Sequence, residues 1–235
     1  MHISRETLSI LKNFRDLNSN VLVKPGNVIK TLTGAKNVMA TAVVEETFPV
    51  EFGIWDLTSF LGTVSLFDDP QFDFDEKFVT ISNGGKSRVK YYYSEPTLLT
   101  VPTKDVIMPD TVVSLELDES TFNDLKKAGS VLGLTDLTIK SDGSDVSATL
   151  YDKNNKGSNT YTIEIENVEF EQGSVFNFDF NIENLRFIPG SYTMNIAEKV
   201  VSEFVNSDGL DLTYWVALEG TSSYSASNDR DWETI

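Results

Sequence analysis

The stretch Val50-Glu-Phe-Gly-Ile-Trp-Asp-Leu-Thr-Ser-Phe-Leu61 changes its apolar period in the middle. Phe48 to Ile54 alternates, which is the two-residue repeat of a half-buried strand. Trp55, Leu57, Phe60, Leu61 and Val64 then fall on one face of a short helix, which Asp68-Asp69-Pro70 ends. The same order returns in the second half. Phe176-Asn-Phe-Asp-Phe-Asn-Ile182 alternates and feeds Glu183-Asn-Leu-Arg-Phe-Ile188, stopped by Pro189-Gly190.

Each of these junctions is preceded by strands and, before them, by a longer helical stretch. Ser4 to Asn18 opens on a capping serine with Glu6 in the first turn. Leu8, Leu11, Phe14 and Leu17 read as its apolar stripe, with Arg5 and Lys12 on the opposite side and Arg15 at the boundary. Asp118 to Leu132 repeats the arrangement: Phe122, Leu125, Gly129 and Leu132 form the buried side, and Lys126, Lys127 and Ser130 turn away. Helix, strands, helix, strands, written twice, predicts a duplicated building block. The expected division is an N-terminal domain with connector over 1–109 and a C-terminal domain with an acidic tail over 110–235. Ser94 to Asp110 holds Pro96, Pro102 and Pro109, which exclude a central strand, so it is predicted to be an extended connector. Gly220 to Ile235 is rich in Ser, Asp and Asn and reads as a loose tail.

The 235 residues suit two domains of ordinary size, each able to pack its own core. No apolar run approaches a membrane span, and Met1-His-Ile-Ser-Arg-Glu-Thr7 has no apolar signal core, so a cytoplasmic location is expected. The absence of cysteine excludes disulfides, thiolate metal sites and cysteine nucleophiles. The single histidine, His2, cannot assemble a histidine triad or a histidine-rich metal site. Gly129-Ser-Val-Leu-Gly133 lacks the lysine of a phosphate loop, and Asp142-Gly-Ser-Asp145 is a hairpin rather than a calcium loop. Paired acids such as Asp73-Phe-Asp75 mark turns and solvated edges more often than catalysis. A non-enzyme without cofactor or metal is therefore expected.

A net charge of −17, from 36 acids against 19 bases, argues against nucleic acid only if the bases are dispersed, because binding follows the local field. Lys and Arg face water on any amphipathic helix. Their recurrence in both halves of an acidic chain points instead to a surface for a polyanion.

Four segments carry a resemblance: Leu8 to Asn20 (LSILKNFRDLNSN), Ile54 to Leu66 (IWDLTSFLGTVSL), Ile182 to Tyr192 (IENLRFIPGSY) and Tyr214 to Glu219 (YWVALE). In this order and spacing they make the chain similar to the sliding clamps of T-even-type bacteriophages, the processivity factors of the phage DNA polymerase. The resemblance implies an α+β clamp fold with two similar domains per chain. Helices would line a homotrimeric ring around duplex DNA, with antiparallel sheets outside. It implies DNA-facing roles for Arg5, Lys12, Arg15, Lys126, Lys127 and Arg186. It also implies a partner-docking pocket beside the connector, for which Leu98, Leu99, Val101, Ile107 and Met108 are the candidates, with the Tyr214–Leu218 strand nearby. The implied partners are sequence-independent double-stranded DNA, the DNA polymerase, an ATP-dependent clamp loader, two further copies of the chain and late-transcription factors, within the infected bacterial cell and without membrane. A β-rich tail or baseplate component of a virion is the alternative from another class. A carbohydrate-active enzyme using two carboxylates is the third.

Overall fold

A computed structural model describes residues 1–227, and the chain divides into two units. The first comprises Met1–Asp105 with Asp211–Thr213, and the second Val106–Leu210 with the residues from Tyr214 onward.

The first unit opens with helix α1 (Arg5–Leu17), capped by the Ser4 hydroxyl, which accepts from the Thr7 N–H. Its buried face is Thr7, Ile10, Leu11 and Phe14, while Leu8 and Leu17 are only half-buried. This corrects the every-third-residue stripe. A strict three-residue step turns 300° and drifts off one face, whereas alternating steps of three and four hold it. Strands β1 (Val21–Val23), β2 (Gly26–Leu32), β3 (Val38–Phe48) and β4 (Phe52–Ile54) follow. The alternating run Phe48–Ile54 is therefore not one strand. Pro49, which has no N–H for a ladder, lies in the break between β3 and β4. β4 pairs with β1, Val21 opposite Ile54, and β2 pairs with β3, Ile29 opposite Ala42. Helix α2 (Leu57–Val64) starts where Asp56 accepts from the N–H groups of Thr58 and Ser59. It buries Leu57, Phe60, Leu61 and Val64. Strands β5 (Gln71–Phe74), β6 (Phe78–Ser82) and β7 (Arg88–Tyr92) then form a three-stranded antiparallel sheet with β7 at its edge. Gly84, at φ 76°, supplies the left-handed residue of the β6–β7 turn.

The second unit begins with β8 (Thr111–Leu117) and α3 (Glu119–Leu132), whose cap is Asp118 and whose end is Gly133 in the left-handed region. Strands β9 (Asp136–Ser141), β10 (Val146–Tyr151), β11 (Tyr161–Ile165), β12 (Glu169–Phe170), β13 (Val175–Asn181), β14 (Tyr192–Ala197), β15 (Val201–Asn206), β16 (Leu212–Ala217) and β17 (Ser223–Ser225) follow. One sheet has the order β11-β10-β9-β13-β17, and β12-β8-β14-β15-β16 are neighbours in another. The alternation in Phe176-Asn-Phe-Asp-Phe180 puts all three phenylalanines in the core. Phe187 stacks on Tyr214 at 4.1 Å and meets Phe204 edge-on at 4.9 Å.

Two expectations fail here. Glu183–Ile188 is not a helix: a single 3-10 turn covers Ile182–Asn184 before Leu185 leaves helical geometry. Six residues ahead of a proline are too few to sustain a costly helical nucleus, and Phe187 is needed in the core. The segment after Gly220 is not loose throughout, because β17 pairs with β13, Ser223 opposite Asn177. The tail beyond residue 227 lies outside the described residues. Among those described, no helix is long and apolar enough to cross a membrane.

Candidate functional site

On α1, Arg5 and Lys12 are seven residues apart, which returns the helix to nearly the same angle about 10 Å further along. Both are exposed. Among the described residues neither forms an ion pair, and the same holds for exposed Lys127 on α3. Arg15 differs: it is half-buried and holds Asp16 through two hydrogen bonds, at 2.8 and 3.0 Å. Lys126 differs too. It is half-buried with Nζ 5.1 Å from the centre of the Phe122 ring, one turn back, and desolvation lowers its pKa from the ordinary lysine value. Arg186 lies past the 3-10 turn, not on a helix, and its guanidinium is 3.8 Å from Glu183. The six cations are thus of two kinds: Arg5, Lys12 and Lys127 are available point charges, and Arg15, Lys126 and Arg186 are partly engaged.

The helix cations are a minority of the chain's bases. Five of the chain's 19 bases lie on α1 and α3, and none lies on α2. α1 carries three bases against two acids, and α3 two against two. The helices stand out only against the acidic rest of the chain. Other bases sit on strands and loops, including Arg88 and Lys90 on β7.

The connector divides between the units. In the first unit, Pro96–Leu98 form a 3-10 turn, leaving Leu98 63% exposed. Leu99 is half-buried, and Gly53 is what lets it lie there. A Cβ on Gly53 would stand 2.5 Å from the Ser94 carbonyl oxygen and 2.7 Å from Leu99 Cδ1. Two asparagines at the end of the LSILKNFRDLNSN segment hold the connector down. Asn18 Nδ2 donates to the Thr100 carbonyl at 2.7 Å, and the Thr100 N–H donates to Asn20 Oδ1 at 3.0 Å. Asn20 is 6% exposed, and its Nδ2 also donates to the Trp55 carbonyl at 2.6 Å. Sequence reading did not assign these asparagines. Their signal was position alone, polar residues just past a helix end that turn out to be buried.

Beside this segment lies a cleft of about 410 Å³, lined by Leu22, Pro25, Val28, Val101 and Pro102 and rimmed by Lys24, Lys30 and Lys104. Lys30 is paired with Asp105 across it. Of the partner candidates only Val101 lines this cleft. In the second unit Ile107 is 89% exposed and Met108 is half-buried. Tyr214 and Val216, in the strand named as nearby, are fully buried core residues of that unit. The Tyr214 hydroxyl accepts from the Ile188 N–H at 3.2 Å, and burial pushes its pKa far up. Neither side chain is open to a partner.

Residues 114–220 match the family described as "gp45 sliding clamp, C terminal". The chain is 30% identical over 222 residues to a sliding clamp of Vibrio phage KVP40, covering 93% of this chain and 99% of that one. It is 24% identical to the sliding clamps of Escherichia phage RB69 and Enterobacteria phage T4, over 95% of this chain and 99% of each. Among solved structures, proliferating cellular nuclear antigen (PCNA) from Entamoeba histolytica superposes with a TM-score of 0.63 at 11% identity, over 90% of this chain and 94% of that one. A. fulgidus PCNA bound to the C-terminal region of FEN-1 gives 0.67 at 12%, over 90% and 94%. At these identities the structural likeness speaks to the fold, which is the α+β clamp fold.

Proposed function

The chain belongs to the sliding-clamp family of T-even-type phages, and we propose that three copies close into a ring on duplex DNA. It is a DNA sliding clamp that tethers the replicative polymerase. The observation that carries this is the match to a curated sliding clamp end to end, through both units rather than one motif. The virion-component alternative has no observation in its favour.

A tether works through effective concentration. A polymerase that releases the primer end stays linked to the same DNA, so rebinding outruns escape. In the proposed ring, Arg5, Lys12 and Lys127 meet the phosphates, and Lys126, Arg15 and Arg186 contribute less because each is already engaged. Phosphate contacts carry no sequence information, which sliding on any sequence requires. Exposed, flexible cations acting across water hold DNA without arresting it. The surplus of acid, −17 overall, repels DNA from surfaces that lack such cations. A partner's hydrophobic peptide docks on the first unit's part of the connector, using exposed Leu98 and the Val101 side of the cleft. A closed ring cannot thread itself onto DNA, so an ATP-dependent loader opens it.

The test is primer extension on a long circular template with the cognate polymerase. Long products are expected only when this chain, a loader and ATP are all present. Stimulation that is equal without loader on a closed circular template refutes the topological tether.

A further inference from the structure

An asparagine followed by glycine is open to attack by its own backbone, because the glycine nitrogen reaches the asparagine Cγ with no side chain in its way. Asn83-Gly84 is the one such pair in the sequence, and every other asparagine is followed by a residue that carries a side chain. Two aspartates also precede glycine, in Asp142-Gly143 and Asp208-Gly209, and could close the same ring. The structure separates the three.

Asn83 and Gly84 lie in the loop 83–87 between β6 and β7, all of it exposed. The β6–β7 ladder stops at Ser82 opposite Arg88, so neither residue is held by a strand. Gly84 sits at φ 76°, and a Cβ there would meet nothing within 4 Å. Among the described residues its N–H has no hydrogen-bond acceptor. The nucleophilic nitrogen is therefore open to water and base. The electrophile is held in place. Asn83 Oδ1 accepts from the Gly85 N–H at 3.2 Å. Attack at Cγ puts negative charge on that oxygen, and a backbone N–H already aimed at it stabilises the charge as it develops. The two aspartates are shielded. The Gly143 N–H, which would be the nucleophile there, donates to Ser141 Oγ at 3.1 Å, and a Gly143 Cβ would stand 3.4 Å from the Gly173 carbonyl oxygen. Asp142 Oδ1 accepts from the N–H and hydroxyl of Ser144, which hold its pKa below the ordinary aspartate value, and an ionised carboxylate resists attack. Asp208 Oδ2 accepts from the Ser191 N–H at 2.6 Å and lies 2.8 Å from where a Gly190 Cβ would stand, so its carboxyl is not free to swing onto Gly209.

We propose that Asn83 is a site of spontaneous deamidation, at which the folded chain modifies itself in water without an enzyme. The Gly84 nitrogen bonds to Asn83 Cγ and gives up its proton to solvent base. The Cγ–Nδ2 bond breaks and ammonia leaves, which closes a five-membered succinimide. Water then opens the ring at either carbonyl. Cleavage of the bond to Cγ leaves aspartate. Cleavage of the bond to the main-chain carbonyl carbon leaves isoaspartate, whose backbone runs through the side-chain methylene. The balance is one water in and one ammonia out, with nothing oxidised or reduced. Each event makes the chain one charge more negative, in a loop that also carries Lys86 and leads into Arg88. Val79 and Ile81, the buried residues of β6, lie before the loop, so the core does not depend on it. Chains therefore survive the change, and a population of them accumulates acidic and isoaspartyl forms with age. The inference holds for the single chain and stands apart from the ring.

The experiment ages the full chain at mildly alkaline pH beside a synthetic peptide of residues 78–86, the fragment that trypsin releases between Lys77 and Lys86. Mass spectrometry of the digests follows the loss of the amide. A loop whose opening costs close to nothing gives no protection, so Asn83 in the folded chain should convert at least as fast as in the peptide. Aspartate and isoaspartate should both form, told apart by retention time and by labelling with an isoaspartyl methyltransferase. Ion exchange of the intact chain should show acidic satellites that grow in step. Asn83→Gln, whose longer side chain closes a six-membered ring far more slowly, should remove them. Asp142 and Asp208 should isomerise in urea and stay intact in the native chain. A native rate at Asn83 below about one third of the peptide's overturns the proposal, because the fold then protects the site. Acidic satellites undiminished in Asn83→Gln overturn it as well, since the labile amide is then elsewhere. An Asp142 or Asp208 that isomerises as fast in the native chain as in urea overturns the geometric argument that singles out Asn83.

Discussion

Replacing Asn20 by alanine removes the Thr100 N–H acceptor and the Trp55 carbonyl donor in one step, at 3.0 and 2.6 Å. A neutral hydrogen bond contributes about 1 kcal/mol net, and a buried group left unpaired costs about 1–3 kcal/mol. Thr100 and Trp55 are exposed residues, so water can reach the freed groups and the lower end applies. The expected loss is about 2 kcal/mol. For a unit of about 100 residues, 1 kcal/mol moves the melting point by about 4–8 °C, so the first unit should melt roughly 8–16 °C earlier. Calorimetry at fixed protein concentration measures this, since assembly makes the melting temperature concentration-dependent. Hydrogen exchange locates it: the Thr100 amide should lose protection, and residues 96–105 should become the fastest-exchanging part of the unit outside its turns. Asn20→Asp keeps the acceptor and loses the donor, so it should lose about half as much. A melting point within about 2 °C of wild type, together with unchanged protection at Thr100, refutes the argument that Asn20 seats the connector.

Reversing Lys12 and Lys127 to Glu should lower processivity with no change in melting, because both are exposed and, among the described residues, form no ion pair. Removing one phosphate interaction should flatten the salt dependence of DNA association by about 0.9 in log–log slope. The single change Lys126→Gln should have a smaller effect than Lys127→Gln, which a product-length assay can rank. Leu98→Asp should weaken polymerase binding while stability stays within about 0.5 kcal/mol, since the side chain is exposed. Leu99→Asp should instead melt early, because Leu99 packs on Gly53, and titration calorimetry beside a melt separates the two effects. Glu46 accepts from the Ser4 N–H and the Thr7 hydroxyl at the start of α1. Burial raises its pKa, but these hydrogen bonds outweigh burial and hold it below the ordinary glutamate value of 4.5. Its contribution is then complete above pH 4.5 and fades as pH falls through the lower folded value. Glu46→Gln should cost about 1 kcal/mol at pH 7, a gap to wild type that narrows below about pH 4 in paired thermal melts.

Local pattern carried far into this protein. The Ser4 cap, the helix between Asp118 and Leu132, the apolar spacing of Leu57, Phe60, Leu61 and Val64, and the alternation of Phe176, Phe178 and Phe180 are signals within a few residues, and each appears in the structure, although Leu132, read on the buried side of its helix, is 40% exposed at the helix end, and Trp55, read on the apolar face of the second helix, precedes that helix and is 55% exposed. The prolines of the connector excluded a strand there, and the four quoted segments carried the family resemblance. Where local pattern met a competing demand it misled. Phe48–Ile54 alternates but is broken at Pro49, and Glu183–Ile188 looked helical until Phe187 was needed in the aromatic core.

The chemistry of the site depended on partners distant in sequence. The spacing that made Lys126 and Lys127 equivalent on paper could not show that one lies over Phe122 and that the other, among the described residues, is exposed without an ion pair. Asn20 and Thr100 are 80 residues apart, and no period relates them. The open sides of β7 and β11 were invisible for the same reason. Which strand has a neighbour is decided when the sheets assemble, and an unpaired N–H is written in no side chain. Sequence alone determined which elements form and which family they resemble, because period, caps and breakers act through bonds and turns close along the chain. Tertiary structure decided which charges are free, what holds the connector and where the edges stay open, because those follow from what each group meets across space.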